Sequence, residues 1–171
     1  MADTKPHVYL ELRSDPVYLS GARQLIASVA QRLGFDEMAC SQIALAVDEA
    51  LCNILRHGYD RATDRPIWLS VWPGRKDGKE AGMLVVIEDE ARQIDPTIIR
   101  GRELDDVRPG GLGVHIIKEV MDEVEYEARE PAGMRLTLYK RLVQKNDSQD
   151  ADQAGASPAG SADQGRVSND G

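Results

Sequence analysis

Three polar residues recur at four-residue intervals in the segment VDEALCNILRHGYD: Glu49, Asn53 and His57. On an α-helix this spacing places side chains on one face, each about one turn beyond the last. An amide oxygen is a neutral hard ligand that suits Mg²⁺, and a carboxylate can take a proton from a nucleophile. The spacing therefore indicates either a catalytic face that shares a metal ion or, more simply, a solvated helix face.

A second candidate is Asp89, which follows an apolar run in VVIEDEARQIDP. A carboxylate at the point where a strand leaves the core can accept a hydrogen bond from a ligand amine, such as the exocyclic amine of adenine. The same residue type also forms Asx turns, in which the side chain bonds to its own backbone. The sequence leaves both interpretations open.

Glycines cluster directly before a predicted helix in RPGGLGVHIIKEV. Gly110, Gly111 and Gly113 let the backbone approach a ligand closely, and the free N–H groups at a helix start favour phosphate. Arg108 either neutralises phosphate charge or is an ordinary loop cation. The segment is neither a Walker loop nor a Rossmann fingerprint, because no GK[ST] follows and the GxGxxG spacing is absent. Such glycines also simply begin helices.

The composition excludes several classes of protein. The chain has 171 residues, which suits one domain, and 21 Lys and Arg against 29 Asp and Glu give a net charge of -8. No basic cluster is dense enough to grip phosphates, so direct binding of DNA or RNA is disfavoured. No apolar run reaches the roughly 18 residues of a membrane helix, and no signal peptide is visible, so we expect a cytoplasmic protein.

The two cysteines, Cys40 and Cys52, lie on one predicted helix. Twelve residues of helix separate them by about 18 Å along the axis, whereas a disulfide needs Cα atoms within about 7 Å. We predict that both are reduced, and two cysteines without spaced histidine partners do not form a zinc site.

Hydrophobic periodicity predicts the elements that must position these residues. Predicted strands are His7–Arg13, Ile67–Trp72, Met83–Ile87, Val124–Glu127 and Arg135–Arg141. Predicted helices are Tyr18–Leu33, a segment from the Asp36 cap to His57, and Leu112–Val120. The charged stretch Glu88–Pro109 is predicted to be a lid or binding loop, with a short helix at Pro96–Arg100.

This order of elements predicts an α+β two-layer sandwich, with a mixed, mostly antiparallel sheet covered on one face by helices. Residues 6–144 would form the folded domain. From Asn146 the chain has no aromatic residue and a single large aliphatic one, so residues 145–171 are predicted to be a disordered acidic tail.

Taken together, the pattern Glu-x₃-Asn-x₃-His-Gly, a strand-end aspartate and Gly-Leu-Gly opening a helix resembles the ATP-binding domain of the GHKL superfamily. The runs DEALCNILRHGYD and RPGGLGVHIIKEVMDEVEYE are most similar to the bacterial anti-sigma-factor serine kinases. The resemblance covers nearly all of residues 7–142.

The resemblance implies ATP and Mg²⁺ as cofactors and in-line transfer of the γ-phosphoryl group. Glu49 matches the general base, Asn53 the Mg²⁺ ligand and Asp89 the adenine-reading carboxylate. The other residues of the implied nucleotide site are Ala91, Arg108, Gly110, Gly111, Leu112 and Gly113. The implied partners are a sigma factor or similar output protein and an antagonist protein with an acceptor serine, and the implied assembly is a homodimer.

Two residues depart from the family pattern on the adenine side. Ala91 stands where a glycine is usual, and Met134 replaces a threonine whose hydroxyl helps to hold the adenine end. If the backbone at Ala91 needed a positive φ, alanine would cost about 1 kcal/mol or more. These departures predict weaker nucleotide binding, and they motivate an alternative: a module that sequesters a partner without phosphoryl transfer. A detached ATP-binding domain of a sensor histidine kinase is a weaker alternative.

Overall fold

The computed structural model describes residues 5–74, 80–93 and 112–143. The predicted acidic tail, the predicted short helix at Pro96–Arg100 and most of the predicted lid lie outside these ranges. In chain order the elements are β1 (Val8–Arg13), α1 (Pro16–Arg32), α2 (Glu37–Asn53), a π-helical turn (Ile54–Gly58), β2 (Pro66–Pro73), β3 (Gly82–Asp89), α3 (Leu112–Val120), β4 (Glu123–Ala128) and β5 (Met134–Arg141).

The strands form one sheet in the order β1-β2-β3-β5-β4. The predicted α+β sandwich is confirmed. The sheet was predicted to be mixed and mostly antiparallel, and every pairing among the described strands is antiparallel. β3 is central, and all its residues from Gly82 to Ile87 are buried, as an unbroken apolar run requires. Because β5 lies between β3 and β4, helix α3 carries the chain from the centre of the sheet to its edge.

Aspartates determine where the first two helices begin. The Asp15 carboxylate accepts a hydrogen bond from the Val17 amide at 3.0 Å, and the Asp36 carboxylate accepts one from the Ala39 amide at 2.9 Å. These bonds satisfy first-turn N–H groups that have no partner within the helix. Helix α1 begins two residues before the predicted Tyr18, because Pro16 suits the first helical position.

The helices cover one face of the sheet, and α2 packs against both α1 and α3. An apolar stripe of α2 is buried in this core, and Ile54, just after α2, is half-buried (the buried members are Ile43, Val47, Ala50 and Leu51). The helical stretch Glu37–Gly58 is apolar and long enough to cross a membrane by length and composition alone. Its burial between α1, α3 and the sheet accounts for that composition.

Cys40 is buried, Cys52 is half-buried, and neither forms a disulfide, as predicted. Burial raises the pKa of both thiols, which keeps them in the less reactive protonated form.

The end of α2 differs from the regular helix that the spacing predicted. From Ile54 to Gly58 the helix widens into a π turn, which the Tyr59 amide closes by donating to the Ile54 carbonyl at 2.8 Å. A π turn has more residues per turn than an α-helix, so His57 leaves the line that Glu49 and Asn53 follow. His57 is exposed, and Tyr59 turns back into the core.

Candidate nucleotide-binding site

Helix α2 presents Glu49 and Asn53 to the first turn of α3. A Cβ atom built on Gly113 would lie 2.7 Å from Glu49 Oε2, 3.3 Å from Asn53 Nδ2 and 3.5 Å from Asn53 Oδ1. Both side chains are half-buried, and neither has a hydrogen-bond or ion-pair partner among the described residues. A carboxylate and an amide that converge on a side-chain-free backbone can both take a ligand.

The glycine segment is only partly described. Arg108, Gly110 and Gly111 lie outside the described residues, whereas Gly113 is buried and Leu112, the first residue of α3, is 59% exposed. The N–H groups of a first helical turn have no partner within the helix and suit an anion. A side chain at Gly113 would fill the space before Glu49, so this glycine is needed for close approach.

Asp89 ends β3 as a buried carboxylate that is only 4% exposed. Its Oδ1 atom accepts hydrogen bonds from the Ala91 amide at 2.8 Å and the Met134 amide at 3.1 Å. Its Oδ2 atom accepts none from the described part of the chain. Desolvation by burial raises the pKa of Asp89, and the two amide bonds and Arg129 oppose this shift. Asp89 can therefore form the Asx turn through Oδ1 and bind a ligand through Oδ2, so the two interpretations that the sequence left open are compatible.

Ala91 occupies its position without backbone strain. The non-glycine residues of the described chain with positive φ are Asp60 and Arg61, so Ala91 does not need the conformation that would favour glycine. Its methyl group packs against the π turn, where a Cβ on Gly58 would come within 2.8 Å of it. Gly58, which has no side chain, makes the room that the Ala91 methyl group fills.

The missing threonine hydroxyl at position 134 does not leave Asp89 unsupported. The backbone amide of Met134 binds Asp89 Oδ1, and the Met134 side chain is buried. The preceding Gly133 has a φ of +95°, and a Cβ there would collide with the Asp89 carbonyl. The turn between β4 and β5 thus packs directly against the end of β3.

The contact between Gly58 and Ala91 supports a sharp prediction. Gly58→Ala should destabilise the protein by about 1–3 kcal/mol, because the added methyl group overlaps that of Ala91. Ala91→Gly should recover most of that loss in the double variant, a coupling of roughly 1–2 kcal/mol that urea unfolding of the four proteins in the cycle measures.

Gly21→Ala is the matched control, since Gly21 lies in a helix and a Cβ there meets nothing within 4 Å. It should be neutral or stabilising by about 0.5–1 kcal/mol. Additive effects of Gly58→Ala and Ala91→Gly would contradict the packing described above.

Two positioning groups near Asp89 gave no recognisable pattern in the sequence. The Tyr59 hydroxyl donates to the Pro66 carbonyl at 2.6 Å and accepts from the Glu90 amide at 2.7 Å. The Arg129 guanidinium donates to the Asp89 carbonyl at 2.6 Å. Both residues are distant from Asp89 along the chain, so only folding brings them together.

The described residues contain no group of three or more His, Cys, Asp and Glu side chains that could hold a metal ion. Mg²⁺ at phosphoryl-transfer sites needs only one or two protein ligands, because nucleotide phosphates and water supply the rest. Asn53 beside Glu49 is compatible with that kind of site.

Comparison with known proteins identifies the fold family. Residues 12–140 match the family model described as the histidine kinase-like ATPase domain. The chain belongs to this family. The predicted resemblance is thereby confirmed, and the histidine kinase-like ATPase domain takes in α2, the end of β3 and α3, which carry the described candidate residues.

Individual histidine kinase-like relatives resemble the chain over most of its length. Serine-protein kinase RsbW of Listeria monocytogenes serotype 4a is 26% identical over 152 residues, which cover 85% of this chain and 96% of the relative. Serine-protein kinase RsbW of Bacillus subtilis is 23% identical over 149 residues, covering 81% and 89%.

One solved structure shows the same fold. The crystal structure of the RsbU and RsbW domains of a Mycobacterium tuberculosis protein aligns with a TM-score of 0.56 at 19% identity. The alignment covers 82% of this chain and 34% of that longer chain.

Proposed function

We propose that this protein is an ATP- and Mg²⁺-dependent serine kinase of the anti-sigma type. One observation carries the proposal: the Glu49 and Asn53 side chains, which have no partner among the described residues, meet at Gly113. The buried Asp89 would form the other end of the same site. The contact between Gly58 and Ala91 holds the segment just after Asp89 against the same helical stretch that carries Glu49. The relatives named serine-protein kinase RsbW support the reaction class.

At the adenine end, Asp89 Oδ2 would accept a hydrogen bond from the exocyclic amine of the base. Oδ1 is already held by two backbone amides, which fix the orientation of the carboxylate before a ligand arrives. A charge-assisted bond in a buried setting is stronger than a neutral bond at the surface. Asp89 therefore orients the base and selects adenine over guanine, which carries a carbonyl oxygen at that position.

At the phosphate end, Asn53 Oδ1 would bind Mg²⁺, and the first-turn N–H groups of α3 would face the phosphates. Bound Mg²⁺ supplies charge neutralisation for the phosphates during transfer. Arg108, Gly110 and Gly111 complete the proposed phosphate-side set. The space that a Cβ on Gly113 would fill, next to Asn53 and Glu49, fits this use.

Glu49 would act as the general base for the acceptor. Its carboxylate has no cation beside it among the described residues, so it is free to hydrogen-bond an incoming serine hydroxyl and take its proton. The serine oxygen then forms a bond to the γ-phosphorus as the bond to the leaving ADP oxygen breaks. Glu49 keeps the serine proton until the products leave the site.

The proposed partners follow from the same reaction. They are a small antagonist protein with an acceptor serine and a sigma factor or similar output protein, bound by a homodimer in the cytoplasm. The net charge of -8 disfavours direct contact with nucleic acid. The alternative, sequestration without turnover, loses its motivation, because Ala91 is unstrained and the Met134 amide holds Asp89.

The test combines binding and transfer with the full chain. Calorimetry should detect ATP binding that strengthens with Mg²⁺, and γ-labelled ATP should label a candidate antagonist protein that carries an acceptor serine. Replacing the acceptor serine of that protein by alanine should remove the label. Absence of binding at millimolar ATP with Mg²⁺ would refute the proposal, and binding without transfer would favour the sequestration module.

A further inference from the structure

Arg129 reaches the adenine end of the site from the opposite face of the sheet. Its guanidinium donates from Nη1 to the backbone carbonyl of Asp89 at 2.6 Å, although the two residues are 40 positions apart in the chain. In the strand register Glu88 pairs with Trp68, and these side chains alternate with the core residues Ile67 and Ile87. The contacts of Arg129 with that pair therefore lie on the face away from the helices.

Several contacts hold the Arg129 guanidinium in place. Its Nε atom lies 3.2 Å from Glu88 Oε1, and its Cζ atom lies 5.1 Å from the centroid of the Trp68 ring. The side chain is 28% exposed, so solvent screens these contacts only partly. A planar guanidinium can bind a carboxylate, a carbonyl and an aromatic face together, which an ammonium group cannot do as well.

The Asp89 carbonyl is enclosed by the turn that follows Arg129. The Arg129 amide donates to the Gly133 carbonyl at 2.9 Å. Gly133 packs so closely against the Asp89 carbonyl that a Cβ on it would overlap that oxygen. The Gln93 side-chain amide also donates to the Arg129 carbonyl at 2.5 Å, which ties the segment after Asp89 to the same turn. Loss of the guanidinium would leave a part-buried carbonyl without its donor.

We infer that Arg129 is a positioning residue for nucleotide selection: it fixes the backbone at Asp89 so that the Asp89 carboxylate meets the adenine amine. The inference rests on the proposed function, because it assumes that Asp89 reads adenine. Arg129 itself does not touch the nucleotide, and its effect passes through the end of β3. A binding group that is misplaced by about 1 Å can lose as much as a hundredfold in effect.

Arg135 provides a matched control on the same surface. It contacts Glu88 Oε1 at 3.1 Å through both Nε and Nη2, but it makes no hydrogen bond to Asp89. Arg129→Gln and Arg135→Gln each remove one positive charge from beside the Glu88 carboxylate. Only Arg129→Gln also removes the hydrogen bond to the Asp89 carbonyl. A role limited to sheet stability would lower the unfolding temperature but would leave the preference for ATP over GTP unchanged in both variants.

The experiment measures the affinity of the full-length protein for Mg-ATP and Mg-GTP by calorimetry, with thermal unfolding recorded for each variant. We expect Arg129→Gln to weaken ATP binding roughly tenfold and to narrow the preference for ATP over GTP by a similar factor. Arg135→Gln should change both affinities by less than about twofold. Arg129→Lys, which keeps the charge and one donor, should fall between the wild type and Arg129→Gln.

Each outcome decides the inference. If Arg129→Gln and Arg135→Gln have the same ATP affinity and base preference, Arg129 is structural only and the inference is wrong. If Arg129→Gln does not fold, Arg129→Lys takes its place and must weaken ATP binding more than Arg135→Gln does. If the wild-type protein binds no ATP, the proposed function fails and the inference fails with it. ATP binding that is normal in the wild type and unchanged by Arg129→Gln would refute the inference alone.

Discussion

Glu49→Gln is expected to slow phosphoryl transfer to the acceptor serine by about 10²- to 10⁴-fold, the usual contribution of a general base. Glutamine keeps the shape of the side chain beside Gly113 but cannot take the serine proton. ATP affinity should change by less than about threefold, since the assigned role is in transfer and not in nucleotide binding. Because Glu49 has no partner among the described residues, the unfolding temperature should stay nearly constant.

The measurement is single-turnover transfer from γ-labelled ATP, with calorimetry for nucleotide binding. Asp48→Asn is the matched control, because Asp48 is the adjacent carboxylate on α2 but lies 4.0 Å from Arg23 of helix α1. At saturating acceptor its transfer rate should remain near that of the wild type. A Glu49→Gln protein that transfers phosphate at the wild-type rate would exclude Glu49 as the base.

Asp89→Asn should weaken ATP binding roughly 10- to 100-fold, as expected for the loss of a hydrogen bond to a charged group in a buried site. The asparagine oxygen can keep the bonds from the Ala91 and Met134 amides, so its NH₂ group would face the adenine amine. The asparagine NH₂ group and the adenine amine are both hydrogen-bond donors, so they repel each other, whereas Oδ2 of the aspartate would accept a bond from the amine. Glu90→Gln, in the same loop and with an exposed side chain, should bind ATP normally.

Asp89→Asn should also leave the ligand-free protein as stable as the wild type, or more stable, at neutral pH. Burial raises the pKa of Asp89 in the folded state above its ordinary value of 3.8, so the folded protein binds this proton more tightly than the unfolded chain does. Stability therefore falls as the pH rises from about 3.8 through the raised pKa, and this cost persists at neutral pH. Asparagine carries no charge and avoids that cost.

Thermal unfolding between pH 4 and pH 8, without nucleotide, measures this effect against the Glu90→Gln control. The wild type should lose stability relative to Asp89→Asn as the pH rises through the raised pKa of Asp89. Equal pH profiles would show that burial of Asp89 has no energetic cost. Undiminished ATP affinity would remove Asp89 from adenine recognition.

Local patterns in the sequence predicted the elements well, because each pattern reports a local physical requirement. Alternating polarity predicted β1, the Asp36 cap predicted the start of α2, and the glycine segment predicted the start of α3 at Leu112. The same patterns failed at the end of α2, where a regular helix was predicted and a π turn is found. No local spacing distinguishes these two, since the turn packs against Ala91, which lies 33 positions beyond Gly58 in the chain and reaches it only on folding.

The sequence by itself determined which residue types stand where chemistry is possible: Glu49 and Asn53 one turn apart, Asp89 at a strand end, and Gly113 in the first turn of a helix. These features depend on spacings of a few residues, which the helix and strand periods decide. Tertiary structure alone decided whether Ala91 is tolerated, since that depends on Gly58, which lies 33 positions earlier in the chain.

Tertiary structure also decided what holds Asp89. Arg129 and Met134 flank the turn between β4 and β5, and Tyr59 follows the π turn, so these partners come from two other segments of the chain. Hydrogen bonds and packing between distant segments act on atoms within a few ångströms, and their partners leave no periodic trace along the chain. The residues that could react were visible in the sequence, whereas the residues that orient them became visible only in the folded protein.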